Sequence, residues 1–288
     1  VIVVKNKSKI FLAGPPLLKA ALGEIATDEE LGGADMHYTI SGLAEYMAKD
    51  DDDAIKVCRD VVRNLGWNDN FESTQKYDFK EPIYSPDELI GVVPTDYKKS
   101  YDAREVIARI VDGSEFLDFK PEFGKQTVTG TAAIHGYKIG IVANNGPIFA
   151  DGAVKAAQFI QMCSKLNIPL IFLQNTTGYM VGTREESKGI IKHGSKMIQA
   201  VTNCTVPKIT LRIGASFGAG EYGMAGRSFD PRFIFSWPNN KLSVMGGEQA
   251  GKTMSQVATE SAKRRGEEPN VEMIKAIEQK IIDTYSEE

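Results

Sequence analysis

A glycine-rich stretch in the last third of the chain, LRIGASFGAGEYGM (Leu211–Met224), has the composition of a turn that binds an anion through backbone N–H groups. Gly214, Gly218 and Gly220 follow a short apolar run with β-branched residues, which predicts a buried strand. A helix is predicted from Glu221 onward. At such a strand-to-helix turn, backbone N–H groups point towards one spot, which can hold a phosphate or a reaction oxyanion. This stretch alone leaves open the alternative of a tight turn that needs small residues and has no chemical role.

A second polar loop, Asn175–Gly182, follows the apolar run Leu170–Leu173. Helical periodicity over Asp151–Leu166 precedes this run, which indicates a β–α–β unit with a parallel strand covered on both faces. A helix predicted over Glu186–Thr202 then leads to a strand over Lys208–Ile213. Open α/β sheets bind ligands at the carboxyl ends of parallel strands. Two polar glycine loops at two such ends therefore indicate a binding site more strongly than either loop alone.

Other kinds of chemistry have weaker support in the sequence. The glycine spacing also matches the dinucleotide turn of short-chain dehydrogenases, but no tyrosine is followed by lysine four residues later, as their Tyr-x3-Lys pair requires. His135 falls in a predicted hairpin turn and His193 in a predicted helix, where a structural role is favoured over that of a base. Ser195 and Ser216 lack the setting of a nucleophile elbow.

Charged residues near the two loops also have ordinary structural explanations. Glu185, Glu186 and Glu221 could carry acid–base chemistry, but the first two lie beside Lys188 and are predicted to pair on the surface. Lysines recur every four residues over Lys188–Lys196; a solvated helix face explains this basic stripe, and contact with a phosphate-bearing ligand or an acidic partner would also explain it. The side chains thus suit a reaction that passes through an enolate-like anion and needs mainly electrostatic stabilisation.

The composition excludes several classes of protein. The chain has 288 residues, 42% apolar and 25% charged, which predicts about two globular domains, and its net charge of −4 does not favour a nucleic-acid partner. Its apolar runs fall far short of the ~18 residues of a membrane helix. Three scattered cysteines match neither a metal-ligand spacing nor a disulfide framework, which favours a reducing compartment. Asp50–Asp53 predicts a solvated helix entry, not a metal site, because consecutive helical residues fan out.

Patterns along the rest of the chain predict two domains joined by a connector. Two apolar runs in Val1–Leu12 predict a hairpin or a strand edge, and helical periodicity covers Ser41–Leu65. Periodicity is lost over 66–94, where Pro, Gly, Asn and Asp gather around aromatic residues, and this indicates the connector. The chain starts inside a strand pattern without an initiator methionine, so we expect a piece of a longer polypeptide. Further on, the patterns predict a hairpin (Gln126–Ala143), a pair of strands across Pro238-Asn239-Asn240 (Arg232–Trp237 and Lys241–Met245) and two terminal helices (Gly247–Arg265 and Val271–Tyr285).

Several longer motifs occur in the order known from one family. The chain resembles the carboxyltransferase (β) subunit of biotin-dependent acyl-CoA carboxylases, and within that family it is most similar to 3-methylcrotonyl-CoA carboxylase and its relatives. The resemblance covers nearly the whole chain. It rests on FLAGPPLLKAALGE (Phe11–Glu24), ELGGADMHYTISGLAEYMAKDDDDAI (Glu30–Ile55), NTTGYMVGT (Asn175–Thr183), KHGSKMIQAV (Lys192–Val201), GASFGAGEYGMAGR (Gly214–Arg227), DPRFIFSWPN (Asp230–Asn239) and SVMGGEQA (Ser243–Ala250).

This resemblance implies an α/β fold of the crotonase-like (ClpP/crotonase) type, in which an N-domain and a C-domain share a ββα-spiral build. Residues 1–66 would be the C-terminal portion of the N-domain, 67–100 the connector, and 101–288 the C-domain, incomplete at its end. In that family acyl-CoA binds chiefly on the N-domain, and carboxybiotin approaches over the C-domain of a neighbouring subunit. We therefore expect that the chain as given does not complete the reaction alone.

The resemblance also implies a site and partners. Two oxyanion holes would hold the thioester enolate and the ureido oxygen of biotin, and the biotin released on decarboxylation can take the α-proton. Biotin would arrive on a carrier domain, with acyl-CoA as substrate, from a biotin carboxylase/biotin carrier (α) subunit, and the full-length protein would form a hexamer. The oxyanion donors would map to Gly218, Ala219 and Gly220, and the biotin cleft would be walled by Asn175, Thr177 and Gly178 with Tyr179.

Two alternatives remain beside this interpretation. One is a glutaconyl-CoA-type biotin-dependent decarboxylase subunit, which runs the reaction backwards and is coupled to a membrane sodium pump. The other is a non-catalytic homologue that has kept the fold, which the intact glycine turn disfavours. The expected compartment is the cytoplasm of a bacterium or the mitochondrial matrix of a eukaryote. No partner nucleic acid, membrane contact or metal is expected.

Overall fold

The computed structural model describes residues 1–11, 14–65, 78–96 and 99–287, which form a mixed α/β structure. The strands are β1 (Ile2–Val4), β2 (Tyr46–Ala48), β3 (Leu117–Asp118), β4 (Thr127–Ile134), β5 (Tyr137–Asn144), β6 (Leu170–Thr176), β7 (Lys208–Phe217), β8 (Phe233–Ser236) and β9 (Lys241–Ser243). The helices are α1 (Pro15–Leu22), α2 (Asp28–Gly32), α3 (Ala34–Met36), α4 (Asp51–Leu65), α5 (Leu89–Val92), α6 (Ala103–Ile107), α7 (Ala150–Lys165), α8 (Thr183–Ser187), α9 (Ile190–Asn203), α10 (Gly220–Gly223), α11 (Gly247–Arg264) and α12 (Val271–Glu287).

The main sheet has the order β3-β4-β5-β6-β7-β8, and β9 also pairs with β7. Strands β4 and β5 form the predicted antiparallel hairpin, and β5, β6 and β7 are parallel, as the β–α–β pattern predicted. Strand β8 also pairs with β7 in parallel. The predicted pairing between β8 and β9 is wrong. Strand β7 is ten residues long, and each of the two short strands pairs with a different half of it: β8 with 209–212 and β9 with 215–217.

Both faces of the main sheet are covered, which explains the wholly apolar run Leu170–Leu173 in its central strand β6. Along β6, Phe172 faces a core formed with α7 and α9, whereas the next residue, Leu173, faces a second core formed with α6. Both side chains are fully buried. This alternation fixes the register of β6, because a slip by one residue would exchange its two faces. The carboxyl ends of the parallel strands are thereby held at one edge of the sheet.

The first 65 residues differ from the prediction in two places. Strand β1 does not form a hairpin; it pairs in parallel with β2, which lies inside the segment predicted to be helical from Ser41. Helix α4 begins only at Asp51, and the carboxylate of Asp50 accepts a hydrogen bond from the N–H of Asp53 at 2.8 Å. The acidic run therefore lies at a helix entry, as predicted, because carboxylates satisfy free N–H groups there.

The segment before the main sheet contacts it through a nearly buried ion pair. Lys120, which precedes β4, places its ammonium 3.2 Å from Glu45 and against the carbonyl oxygen of Gly42. Gln158 on α7 donates to the same glutamate at 3.2 Å. The division into 1–66, 67–100 and 101–288 remains a prediction, and 66–77 and 97–98, in or beside the connector, lie outside the described residues.

No helix in the described part of the chain combines the length and the apolar character needed to cross a membrane.

Candidate active site

The carboxyl ends of β6 and β7 meet at a bulge. Gln174 pairs with Arg212, but two residues further along β6 the partner of Thr176 is Ser216, so β7 contains two extra residues. Gly214 lies in this bulge, and a Cβ there would be 2.3 Å from Oδ1 of Asn175. The predicted strand end at Ile213 is therefore wrong: the bulge keeps the strand going to Phe217 and confines the turn to 218–219.

Two backbone N–H groups in the turn after β7 are available to a ligand as far as the described residues are concerned. Gly218 adopts a left-handed conformation (φ +56°), and its N–H donates to the carbonyl of Ser243 on β9 at 3.0 Å. The N–H groups of Ala219 and Gly220 have no acceptor among the residues that the structure describes. Of the three residues predicted to supply donors, Gly218 thus shapes the turn, and the next two carry the available N–H groups.

The loop after β6 packs directly on this turn. A Cβ on Gly220 would lie 2.9 Å from Cα of Gly178 and 3.0 Å from Cγ2 of Thr176, so only glycine permits the two loops to approach this closely. Gly178 has a φ of +114°, and its N–H donates to the Thr176 hydroxyl at 3.2 Å. The two predicted loops therefore form one interlocked unit.

A cavity of about 360 Å³ opens at this edge of the sheet, and Asn175 and the exposed Thr177 line it. Gly178 and Tyr179 do not line it. The Tyr179 hydroxyl points towards the carbonyl of Gly194 on α9, at 3.4 Å, and burial raises the pKa of this phenol above its ordinary value. Tyr179 thus holds the loop against α9. The cavity is lined by Lys99, Ser100, Asn145, Gly146, Pro147, Asn175, Thr177, Phe217, Glu248 and Gln249.

The acidic residue Glu185 is not on the surface, contrary to the prediction. It is buried, and its carboxylate accepts hydrogen bonds from Lys188 at 2.8 Å and from the N–H of Ala150, the first residue of α7, at 3.1 Å. The local charge pattern predicted the lysine partner, but α7 is distant in sequence and gave no local signal. The helix predicted over Glu186–Thr202 is likewise divided at Gly189, whose φ is +78°, into α8 and α9.

The buried carboxylate of Glu185 predicts a stability difference that depends on pH. Its hydrogen bond with Lys188, followed by that with Ala150, lowers its pKa below the ordinary 4.5. Its ionised form therefore stabilises the fold above that pH, and the contribution is lost as the pH falls through the lowered pKa. We expect Glu185→Gln to reduce the free energy of unfolding at pH 7 by about 1–2 kcal/mol. Urea unfolding should show this difference narrowing below pH 4.5.

Glu186→Gln is the matched control for this measurement. Glu186 is the exposed neighbour on the same helix, so its substitution should leave the free energy of unfolding nearly unchanged both at pH 7 and at pH 3.5. A difference between wild type and Glu185→Gln that is constant from pH 7 to pH 3.5 would contradict the assigned role of the ionised carboxylate.

A polar cluster under the turn went unrecognised in the sequence. Glu221, a candidate acid or base in the sequence, accepts a hydrogen bond from Arg212 at 2.5 Å, and Gln174 accepts one from Ser216 at 2.8 Å. The available signal was the charged Arg212 inside one strand predicted to be buried and the polar Gln174 directly after the other, since a polar residue at a buried position needs a partner. His193, by contrast, has a buried Nδ1 with no hydrogen-bond partner among the described residues, and His135 lies in the β4–β5 turn, as predicted.

The family is decided by comparison with known proteins. The carboxyl transferase domain family matches residues 1–287. This chain belongs to that family. It is 49% identical over 287 residues to the mitochondrial methylcrotonoyl-CoA carboxylase beta chain of Dictyostelium discoideum, covering 100% of this chain and 49% of the relative. It is 54% identical over 269 residues to a probable biotin-dependent acyl-coenzyme A carboxylase beta2 subunit of Mycobacterium tuberculosis, covering 93% and 50%.

Solved structures give the same result. The beta subunit of Pseudomonas aeruginosa geranyl-CoA carboxylase matches with a TM-score of 0.68 and 52% identity, over 99% of this chain and 52% of that one. The transcarboxylase 12S structure, described as a hexamer assembly, matches with a TM-score of 0.87 and 33% identity, over 99% and 54%. The predicted family and crotonase-like α/β fold are confirmed. The carboxyl transferase chain described here spans about half the length of the relatives it matches.

Proposed function

We propose that the protein to which this chain belongs is the carboxyltransferase component of a biotin-dependent acyl-CoA carboxylase. It moves a carboxyl group from carboxybiotin to an acyl-CoA through an oxyanion-stabilised enolate. The observation that carries this proposal is the pair of N–H groups on Ala219 and Gly220, which have no acceptor in the part of the chain that the structure describes. They lie at the edge of the sheet where the loops of Asn175–Gly178 and Gly218–Gly220 interlock. Relatives at about half identity are named as beta subunits of such enzymes.

The residues at this edge fit a biotin ring. A ureido carbonyl oxygen accepts two hydrogen bonds, and Ala219 and Gly220 offer two adjacent donors that no acceptor in the described ranges competes for. The neighbouring cavity has the volume typical of small-ligand sites. Biotin, when carboxylated, supplies the carboxyl group and can afterwards take the α-proton of the acyl-CoA.

Each site residue has a proposed role in this mechanism. Gly218 donates its N–H to the carbonyl of Ser243 and so fixes the turn, while Ala219 and Gly220 donate to the developing negative oxygen. Such preorganised donors act where negative charge develops and need no rearrangement during reaction. Asn175 and Thr177 line the cofactor cleft, Gly178 brings the loop against the turn, and Tyr179 secures that loop to α9.

The proposed substrate is 3-methylcrotonyl-CoA or a related acyl-CoA. Similar identities to methylcrotonoyl-CoA carboxylase beta chains and to a geranyl-CoA carboxylase beta subunit favour a branched acyl group.

The test is a carboxylation assay on the full-length subunit with its biotin-carrying partner, using branched, straight-chain and terpenoid acyl-CoAs. Bicarbonate-derived label should enter the branched substrates with the highest kcat/KM. Equal kcat/KM for acetyl-CoA would contradict the substrate assignment, and absence of transfer to every substrate would refute the proposed function.

The reverse reaction is the second candidate. The methylmalonyl-CoA decarboxylase subunit alpha of Veillonella parvula is 33% identical over 250 residues, covering 85% of this chain and 49% of that protein. This identity is lower than that to the carboxylase beta chains, which favours carboxylation over a glutaconyl-CoA-type decarboxylase. Co-purification of the native protein with a biotin carboxylase subunit, as opposed to a membrane decarboxylase subunit, would distinguish the two. The non-catalytic homologue would fail both assays.

The same proposal extends to assembly and location. A biotin carboxylase/biotin carrier (α) subunit delivers the cofactor, and the full-length protein forms a homo-hexamer like the one named for transcarboxylase 12S. The N-domain part (1–66) and the C-domain part (101–288) would contribute to sites formed between subunits. Eukaryotic relatives are named mitochondrial, so we propose the mitochondrial matrix for a eukaryotic source and the cytoplasm for a bacterial one.

A further inference from the structure

A buried polar cluster joins the turn to the two strands that precede it. Arg212 on β7 and Gln174 on β6 lie opposite each other in register, so their side chains share one face of the sheet. The arginine donates through Nη2 to Glu221 at 2.5 Å, and its Nε lies 3.4 Å from Oε1 of Gln174. Side-chain exposure is only 11% for Arg212 and 19% for Glu221. An ion pair with so little solvent contact is screened weakly.

The backbone around α10 leaves space for the ion pair of Arg212 and Glu221 and is itself held by hydrogen bonds from the sheet. A Cβ on Gly226 would lie 2.2 Å from Cγ of Glu221, so glycine leaves the room that the glutamate side chain occupies. Gln174 donates through Nε2 to the carbonyl of Met224 at 2.9 Å, and the Thr210 hydroxyl donates to the carbonyl of Ala225 at 2.7 Å. Three side chains of the sheet thus hold α10 and the residues after it, and only the contact with Glu221 carries formal charge on both sides.

Glu221 follows Gly220 directly in the first turn of α10, so its ion pair with Arg212 anchors the backbone next to the two N–H groups that have no acceptor among the described residues. A negative charge there would oppose an oxyanion, and the Arg212 guanidinium cancels it. We infer that Arg212 and Glu221 are positioning residues, which aim the N–H groups of Ala219 and Gly220 while keeping the local charge neutral for an oxyanion. This inference rests on the proposed function and adds to it a second requirement, charge balance beneath the turn.

Charge balance and mere packing predict different results for substitutions of the pair. Arg212→Met leaves the carboxylate alone and should lower the kcat of carboxyl transfer about a hundredfold, with the KM for acyl-CoA changed less than about twofold. Glu221→Gln loosens the same contact but leaves a positive charge, so kcat should fall only about tenfold. The double variant Arg212→Met/Glu221→Gln removes both charges and should recover activity relative to Arg212→Met.

The experiment uses the full-length subunit with its biotin-carrying partner, and unfolding midpoints are measured in parallel. The exposed pair of Arg264 and Glu260 on α11 provides matched controls, and Arg264→Met and Glu260→Gln should retain wild-type kcat. If the double variant is as slow as Arg212→Met, or if kcat simply follows the unfolding midpoints, packing alone explains the pair and the inference is overturned. If the wild type itself transfers no carboxyl group, the proposed function is refuted, and so is the inference that depends on it.

Discussion

Ala219→Pro is expected to lower the kcat of carboxyl transfer by at least about a hundredfold, because it deletes one of the two available N–H groups. The backbone tolerates the substitution: Ala219 already has a φ of −67°, close to the angle that proline requires, and its side chain is exposed. The preceding residue, Gly218, has no Cβ, which removes one of the clashes that proline causes with its predecessor. Steady-state kinetics on the full-length enzyme with its biotin-carrying partner provide the measurement.

Ala219→Ser is the matched control, since it changes the side chain at the same exposed position but keeps the N–H. Its kcat should remain within about twofold of wild type, and both variants should unfold at nearly the wild-type temperature. Wild-type transfer by a folded Ala219→Pro enzyme would count against the oxyanion assignment. Gly218→Val is a poorer test, because a left-handed φ and a contact of 3.0 Å with the Val244 carbonyl would disturb the turn itself.

The parallel centre of the fold was predictable because its signals are local. The apolar run of β6, the helical period of α7 and the hairpin of β4 and β5 each follow from residues close together in sequence, and the structure confirms all three. The pairing of β8 and β9 was not predictable in this way. The short Pro238-Asn239-Asn240 link resembles a hairpin turn, yet both strands pair with β7, whose bulge extends it far enough to receive a second partner.

The same division applies to the candidate site. Glycine spacing indicated the turn after β7 and the loop after β6, because both must satisfy steric demands of the local backbone. The sequence could not show that the Ser243 carbonyl accepts a hydrogen bond from the Gly218 N–H, nor that Glu185 lies buried against α7. These partners come from elements brought together only by the tertiary fold. A buried charge such as Arg212 signals that a partner exists, but not which residue it is.

Lys120→Met is expected to destabilise the described structure by about 1.5–3 kcal/mol, because it removes one of the two cations that contact the nearly buried Glu45 carboxylate and leaves only the Val1 ammonium. Lys120 is only 3% exposed, its ammonium lies 3.2 Å from Glu45 and also contacts the Gly42 carbonyl, and its own carbonyl accepts a hydrogen bond from the buried Lys155 at 2.9 Å. The ammonium also lies 5.6 Å from the centre of the Phe119 ring. Urea unfolding of wild type and variant provides the measurement.

A double substitution separates the ion pair from the packing around it. Lys120→Met/Glu45→Leu removes both charges, so it should recover most of the lost free energy of unfolding, whereas Glu45→Leu alone leaves the cation unpaired. A double variant no more stable than Lys120→Met would show that the contact with the Gly42 carbonyl, not the ion pair, accounts for the loss. The pair joins the segment before the main sheet to the sheet itself. In the proposed enzyme residues 1–66 belong to the acyl-CoA-binding domain. Loss of the ion pair between Lys120 and Glu45 should therefore also raise the KM for acyl-CoA more than it lowers kcat.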